Sequence, residues 1–279
     1  MGTLYVVATP IGNLQEMSPR AIETLRQVDL IAAEDTRHTA TLLRAFDIRT
    51  PTLSYHQHNE RAREDRLLAA LDAGDVALVS DAGTPAIADP GNALVAAVRR
   101  AGHRVVPIAG PSAVAAAVSA SGLVPGPYLF LGFVERQGDE RRVQLGKAAA
   151  SGYPVVLFES PVRLGETLAE LREVFGDREA VVARELTKLH EEIVGGTLSA
   201  LAGRFGDGEA VRGEIAIVIG GDARTDDTEA GMDPVRVVRA LLAQGMKPSR
   251  AARETAAITG LSGADAYELV RRIGSEQRA

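Results

Sequence analysis

The chain has no cysteine and no tryptophan among its 279 residues. The first absence excludes disulfides, thiolate metal sites and cysteine nucleophiles together, and it fits a reducing compartment. The second, with aromatics at only 4%, leaves packing to Ala, Val, Leu and Ile. No uninterrupted apolar run reaches the about 18 residues of a membrane-spanning helix. The start MGTLYVVATPIGN has neither the basic beginning nor the long apolar stretch of a signal peptide. A cytoplasmic protein without a membrane partner is expected. Neither G-x-x-x-x-G-K-[ST] nor G-x-G-x-x-G occurs, which removes the main support for ATP or dinucleotide binding. An excess of positive charge is missing too. The net charge is -6, whereas proteins that grip nucleic acid by its phosphates usually carry a basic balance.

What is present is a chain long enough for about two domains, with 46% hydrophobic residues to bury. In the first part, short apolar runs alternate with helix signals. Strands are expected at 3–8, 29–34, 75–80 and 103–108. Helices are expected after Ser18-Pro19, at 36–45, from a cap at Asn59 to near Gly74, at 91–101 and at 112–121. Continuous apolar strands separated by helices imply a parallel sheet covered on both faces. After the turn-rich SGLVPGP (121–127), strands at 128–133, 154–159, 179–185, 191–196 and 214–220 alternate with helices near 139–150, 161–175 and 197–204. That pattern implies a mixed second sheet. The polar link GDARTDDTEAG (221–231) leads to three helix signals at 233–244, 248–258 and 262–273. Residues 233–279 hold eight Lys or Arg, Lys247, Arg250 and Arg253 among them, against five acids. This basic tail reads either as a helix-turn-helix that meets nucleic acid or as a three-helix cap or dimerisation element. The expected domains are therefore 1–120, 121–222 and the tail 232–279.

Three loops at strand ends combine glycine with proline: ATPIGN (8–13), SDAGTPAIADPG (80–91) and AGPSA (109–113). Ligands of open parallel sheets sit beyond the carboxyl ends of the strands. Glycine lets backbone approach a ligand closely, proline sets the loop shape, and Ser112 opens a helix whose first N–H groups are free. Few charged partners and many backbone groups fit a nucleoside-like amphiphile better than a phosphate.

TPIGN, DAGTPAIADPG, GPSA, ARELTKLHEE and GEIAIVIG, in that order, resemble the tetrapyrrole-methylase superfamily, most of all its ribosomal branch, the ribosomal RNA small subunit methyltransferase I family. The resemblance runs from the first strand to about Gly220, and the helical tail resembles that family's C-terminal segment. It implies an α/β fold class: two α/β domains of the tetrapyrrole methylase type, a cleft for S-adenosyl-L-methionine between them and a small helical tail. It implies methylation of a cytidine ribose 2′-hydroxyl in 16S rRNA, with the small ribosomal subunit as partner and a homodimer as the working state. Carried over position by position, it implies cofactor contacts at Pro10, Gly83, Thr84, Ile87, Ser112 and Ala113. Further contacts are implied at Phe158, Glu159, Gly196 and Ile215. The loop 80–91 is expected to hold the methionine end of the cofactor against the Ser112 helix start. Tetrapyrrole-methylating relatives read G-D-P where this chain reads Gly83-Thr84-Pro85, so the role of that acid passes to Asp81 or to backbone.

Methyl transfer from a sulfonium needs an aligned acceptor and excluded water, and a base helps a poor nucleophile such as a ribose hydroxyl. Candidates cluster in AEDTRHT (33–39), SYHQHNE (54–60) and RELTKLHEE (184–192). Lys188 and Glu185 are the catalytic candidates, to orient or deprotonate the hydroxyl, and Arg37 and Arg184 the candidates for RNA phosphates. His56 and His58 read as surface residues without a third metal ligand, and the chemistry needs no metal. His103 reads as structural. Two rival readings keep part of this account: the same fold and cofactor acting on a tetrapyrrole or other small acceptor, and a nucleotide-binding regulator without turnover. The basic tail speaks against the first, because a small substrate needs no docking module. The acidic balance speaks for an assembled particle rather than naked RNA as substrate.

Overall fold

The computed structural model describes residues 1–206, 212–222, 234–243 and 246–276. Met1–Gly220 form one compact unit and Gly221–Ala279 a second.

The first half of the larger unit carries β1 (Thr3–Val7), α1 (Pro19–Gln27), β2 (Leu30–Ala33), α2 (Thr36–Ala45), β3 (Thr52–Ser54), α3 (Glu60–Ala73), β4 (Val76–Val79), α4 (Asn92–Arg100), β5 (Arg104–Ile108) and α5 (Ala113–Ser121). Its five strands pair in the order β3-β2-β4-β1-β5, all parallel. Each crossover is a helix or a helical connection, as parallel pairing requires. Every residue of the central β4 is buried, and its two faces feed separate clusters: Ala77 and Val79 pack with Leu25, Ile31 and Ile108, while Val76 and Leu78 pack with Leu4, Leu67 and Leu94. A side chain buried this way contributes roughly 1.5–3 kcal/mol.

The second half carries β6 (Leu129–Phe133), α6 (Asp139–Ala150), β7 (Val155–Glu159), α7 (Leu164–Phe175), β8 (Glu179–Arg184), β9 (Glu192–Thr197), α8 (Leu198–Gly206) and β10 (Ile215–Ile219). The order is β6-β7-β10-β8-β9, with β6–β7 parallel and every other pair antiparallel. β10 is buried throughout: Ile215, Ile217 and Ile219 face one core, Ala216 and Val218 the other. That second core also takes Ile11, Val114, Ala117 and Leu186, so it joins the strand-end loops of the first sheet to the face of the second.

The expected elements recur within three residues at either end, with two additions, a 3-10 turn at Leu14–Glu16 and the strand β3. β3 is an edge strand of three residues beginning after Pro51, too short to register as an apolar run; it is held by β2, with Tyr55 N–H donating to the Ala33 carbonyl at 2.8 Å. Ser18 caps α1 as expected, accepting from Ala21 N–H at 3.1 Å. Asn59 stands at the N-cap of α3 but makes no capping bond; its side chain turns back, accepting from His56 N–H at 2.8 Å and donating to the Ser54 carbonyl at 3.3 Å.

The smaller unit holds α9 (Pro234–Ala243), α10 (Pro248–Thr259) and α11 (Gly263–Glu276) around Val238, Ala251, Ala252, Val270 and Ile273. Gly260, at φ 68°, ends α10, and Ser262 accepts from Asp265 N–H at 3.1 Å to open α11. Lys247, Arg250 and Arg253 are exposed on this unit. Most of the polar link (223–231), both ends of the expected helix 233–244 and Arg278 lie outside the described residues. Among the described residues no helix is long and apolar enough to cross a membrane.

Gly91 stands at φ 135°, and a Cβ there would come within 2.8 Å of Leu78 Cδ2 in the β4 core. The substitution Gly91→Ala is expected to cost about 1–3 kcal/mol of stability, from backbone strain and overpacking together. A fall in the urea midpoint at unchanged m-value checks this.

Candidate active site

The three glycine- and proline-bearing loops leave β1, β4 and β5 at their carboxyl ends, and backbone pairing holds the first two in register. Thr9 N–H donates to the Gly83 carbonyl at 2.8 Å and Gly83 N–H donates to the Thr9 carbonyl at 3.0 Å. The buried Thr9 hydroxyl donates to the Ser80 carbonyl at 3.2 Å. The third loop is tied in by the Thr84 hydroxyl, which donates to the Pro111 carbonyl at 3.2 Å. Both backbone groups of Gly83 are spent on Thr9, so what its position offers a ligand is the missing side chain and a φ of 82°. The loop then passes through two non-glycine residues in the left-handed region, Ala86 at φ 65° and Ala88 at φ 63°. Such positions cost about 1–3 kcal/mol each and collect at functional sites.

These loops face the second sheet across a cavity of about 360 Å³, within the range of small-ligand sites. Ile11, Ile87, Val114, Phe133, Phe158 and Leu186 supply an apolar wall, and Glu34, Asp81, Asp89, Glu159 and Glu214 bring five carboxylates to its lining. Burial pushes Glu34 above the ordinary carboxylate range, against the Asp81 N–H that it accepts. Asp81 accepts from Asp35 N–H at 3.1 Å, which anchors the start of α2. Burial, reinforced by the charges of Glu34, Asp81 and Glu214, pushes Asp89 up to about 6, with the Ser80 hydroxyl opposing.

Of the expected cofactor residues, Gly83, Thr84, Ile87, Ser112 and Ala113 line the cavity from the first half, and Phe158, Glu159 and Ile215 line it from the second. Pro10 and Gly196 do not. Pro10 neighbours Ile11, which does, and Gly196 sits on the edge strand β9, paired with Ala180. Ser112 caps α5, its hydroxyl accepting from Ala115 N–H at 3.4 Å. The Glu159 carboxylate is only 2% exposed and well occupied. It accepts from Thr167 Oγ1 at 2.7 Å and from Ser160 N–H at 2.6 Å, and pairs with Arg163 at 2.5 Å. The buried Arg141 continues this network through Thr167 and Glu170.

Lys188 and Glu185 do not line the cavity themselves. Lys188 Nζ donates to Glu185 Oε1 at 2.7 Å and to Glu214 Oε2 at 2.8 Å, so the pair reaches the cavity through Glu214. Burial works against the Lys188 charge, but the bonds to Glu185 and Glu214 raise it above its ordinary range. The bond from Lys188 in turn lowers Glu185. The turn carrying them is left-handed at Glu185 (φ 52°) and Thr187 (φ 67°), and it packs on the first loop. Asn13 N–H donates to Thr187 Oγ1 at 3.1 Å, and Gly12 leaves room for the Lys188 stem. Arg184 pairs with Glu192 at 2.8 Å and donates to the Arg212 carbonyl at 3.2 Å. Arg37 is 91% exposed and pairs with its neighbour Asp35 at 2.8 Å. His103 is buried against Asp72 at 3.4 Å. Among the described residues no group of three or more His, Asp or Glu is arranged to hold a metal ion.

Sequence reasoning missed Asp89, Glu214 and Phe133 as parts of the site. Asp89 and Glu214 stood inside quoted motifs, yet their meeting depends on the two sheets closing on one another.

Two five-stranded sheets, one parallel and one mixed, with glycine-proline loops over the cavity, have the architecture of the tetrapyrrole (corrin/porphyrin) methylases, whose family model matches residues 3–202. Among solved structures, the fold is similar to a cobalt precorrin-4 methyltransferase of cobalamin biosynthesis (TM-score 0.60, 18% identity, 78% of this chain and 94% of that one). It is also similar to uroporphyrin-III C-methyltransferase of Thermus thermophilus complexed with S-adenosylhomocysteine (TM-score 0.56, 19% identity, 81% and 100%). In sequence, the chain is 46% identical to a ribosomal RNA small subunit methyltransferase I of Synechocystis over 96% of this chain and 97% of the relative. It is 44% identical to the protein of that name from Pseudomonas aeruginosa over 93% of each. The chain therefore belongs to the tetrapyrrole methylase family and, within it, to the ribosomal RNA small subunit methyltransferase I group.

The raised Asp89 has a consequence for stability. Its folded carboxyl holds the proton more tightly than the unfolded one, so its contribution is fully present below about pH 4 and is lost as pH rises through about 6. Asp89→Asn, which keeps the shape without the charge, is expected to raise the thermal midpoint at pH 7.5 and to leave it nearly unchanged at pH 4. Midpoints measured across that range check this.

Proposed function

We propose that this chain transfers a methyl group from S-adenosyl-L-methionine to the ribose 2′-hydroxyl of a cytidine in small-subunit 16S rRNA, on the assembled particle. The observation that carries the reading is the cavity between the two sheets in a chain whose full-length relatives bear the name ribosomal RNA small subunit methyltransferase I. The lining fits the cofactor's chemistry. The apolar wall of Ile11, Ile87, Val114 and Phe158 suits an adenosine, and the carboxylates suit an ammonium and a sulfonium. Gly83, Thr84, Ile87, Ser112, Ala113 and Ile215 are the residues proposed to hold it. When bound, S-adenosyl-L-methionine supplies an already activated methyl group.

The chain's own work is to position the acceptor, keep water out and take a proton. Asp89 is the carboxylate best suited to accept the hydroxyl proton. It lines the cavity beside the Ser80 hydroxyl, and its affinity for a proton is high for an acid yet leaves it ionised at neutral pH. Lys188 is held charged by Glu185 and Glu214, which suits it to orienting Glu214 rather than to abstracting a proton. Arg37 and the exposed Lys247, Arg250 and Arg253 are the proposed phosphate contacts; Arg184, committed to Glu192, braces β8 against β9. A homodimer would present two basic tails to one particle, and the chemistry belongs in the cytoplasm, where the subunits are.

The test is transfer of a labelled methyl group to small subunits lacking the modification, with naked rRNA and protein-only controls. Label on a 2′-oxygen in the particle is expected, with a rate that rises through about pH 6 and falls by about 10²–10⁴-fold in Asp89→Asn. No label on the particle, with cofactor binding intact, would return the acceptor to the small-molecule or regulatory readings. Truncation after Gly220 separates the tail's role: the compact unit Met1–Gly220 is expected to bind cofactor normally and to lose methylation of the particle. Full activity in the truncated chain would remove the docking role of the tail.

A further inference from the structure

Phe133 is a large aromatic side chain that lines the cavity and yet is 62% exposed. A single exposed apolar side chain is ordinary on a surface, but one that also lines a ligand cavity is placed to meet its occupant. The other largely exposed aromatics, Tyr128, Tyr153 and Tyr267, lie outside the cavity lining.

The backbone is built to put the ring there. The β6–β7 register runs regularly from Leu129↔Val155 to Phe130↔Val156, then shifts so that Phe133 pairs with Phe158. The irregularity is taken up at Gly132, which stands at φ 64°. A bulge of this kind re-aims the side chain that follows it, and bulges gather beside active sites. The Gly132 bulge also lies against the loop of the first sheet: a Cβ there would meet Ala88 Cβ at 3.5 Å, one residue from Asp89. From beneath, Phe133 is supported by Phe158, ring centroids 5.4 Å apart, which in turn meets Phe130 at 5.2 Å. A supported ring with an open face, next to the loop of the proposed base, is a stacking surface.

Resting on the proposed rRNA reading, we propose that the exposed face of Phe133 is the platform on which the base of the acceptor nucleotide stacks. A ribose whose 2′-hydroxyl enters a cavity carries a base that has left its own stack, and unstacked bases in RNA are received on aromatic side chains. Stacking is indifferent to hydrogen-bond pattern, so Phe133 holds the nucleotide in place while other groups choose it.

The absence of tryptophan makes the test direct, because F133W is the only indole in the protein. S-adenosylmethionine alone is expected to leave its emission unchanged, and F133A is expected to bind S-adenosylmethionine as the parent does. On small subunits lacking the modification, F133A and F133L are expected to lower kcat/KM by roughly 10–100-fold, mainly through KM, with F133W restoring most of it. Strong quenching of F133W by S-adenosylmethionine, or cofactor affinity lost in F133A, would assign the ring to the cofactor's adenine and overturn the proposal. So would unchanged kcat/KM in F133A, or F133L performing as well as F133W. The parent protein in the same assay reports on the rRNA reading separately: a parent that labels no particle refutes that reading, whereas a parent that labels and an F133A that labels equally refutes only the stacking platform.

Discussion

The reciprocal backbone pairing of Thr9 with Gly83 is the constraint on which the cleft depends. Loops at strand ends have no ladder to hold them, and their buried polar groups must find partners elsewhere. Here the loop after β1 and the loop after β4 satisfy one another, at 2.8 and 3.0 Å, and Thr84 ties the loop after β5 to the same point. The rest of the 80–91 loop is then set. It must cover the distance from Gly83 to the start of α4 at Gly91, and it does so through the left-handed Ala86 and Ala88, leaving Ile87 and Asp89 on the cavity. A loop so fixed can carry a carboxylate in an unfavourable place.

That place is unfavourable for a physical reason that also suits Asp89 to the proposed proton transfer. Glu34, Asp81, Asp89 and Glu214 converge on one cavity although they come from three different segments: the end of β2, the loop 80–91 and the start of β10. Their mutual repulsion and partial burial cost stability, and three of them are pinned by backbone or lysine partners: Asp81 by Asp35 N–H, Glu34 by Asp81 N–H, Glu214 by Lys188. Asp89, left with the Ser80 hydroxyl, absorbs the strain as a raised proton affinity. The turn at Glu185–Lys188 belongs to the same arrangement. It orders Glu214 on one side and receives Gly12 and Asn13 on the other, so the two halves of the larger unit meet at the site they form.

Much of this was legible in the sequence, for identifiable reasons. The strands of the first sheet are continuous apolar runs because both faces are covered, and DVALVS announces β4 without help from its surroundings. Ser18-Pro19 and Gly83-Thr84-Pro85 are legible because few residues suit a helix start or a left-handed turn. What stayed hidden depended on distant parts of the chain. β3 is three residues long and exists because β2 offers an edge. Asn59 occupies a cap position, but its side chain is claimed by Ser54 and His56. Glu159 lines the cavity, but nothing in its own stretch of sequence announces the partners that hold its carboxylate, Thr167 and Arg163. Phe133 reads as one apolar residue among several in YLFLGF, and only the shift in register at Gly132 turns it outward.

A crystal structure of the protein with S-adenosylhomocysteine bound would show at once what the cleft holds. The ligand is expected in the cavity between the two sheets, against Gly83, Thr84, Ser112 and Ala113, with Asp89 and the face of Phe133 left open to a second occupant. A ligand bound elsewhere, or one that covers Asp89 and Phe133 completely, would contradict it.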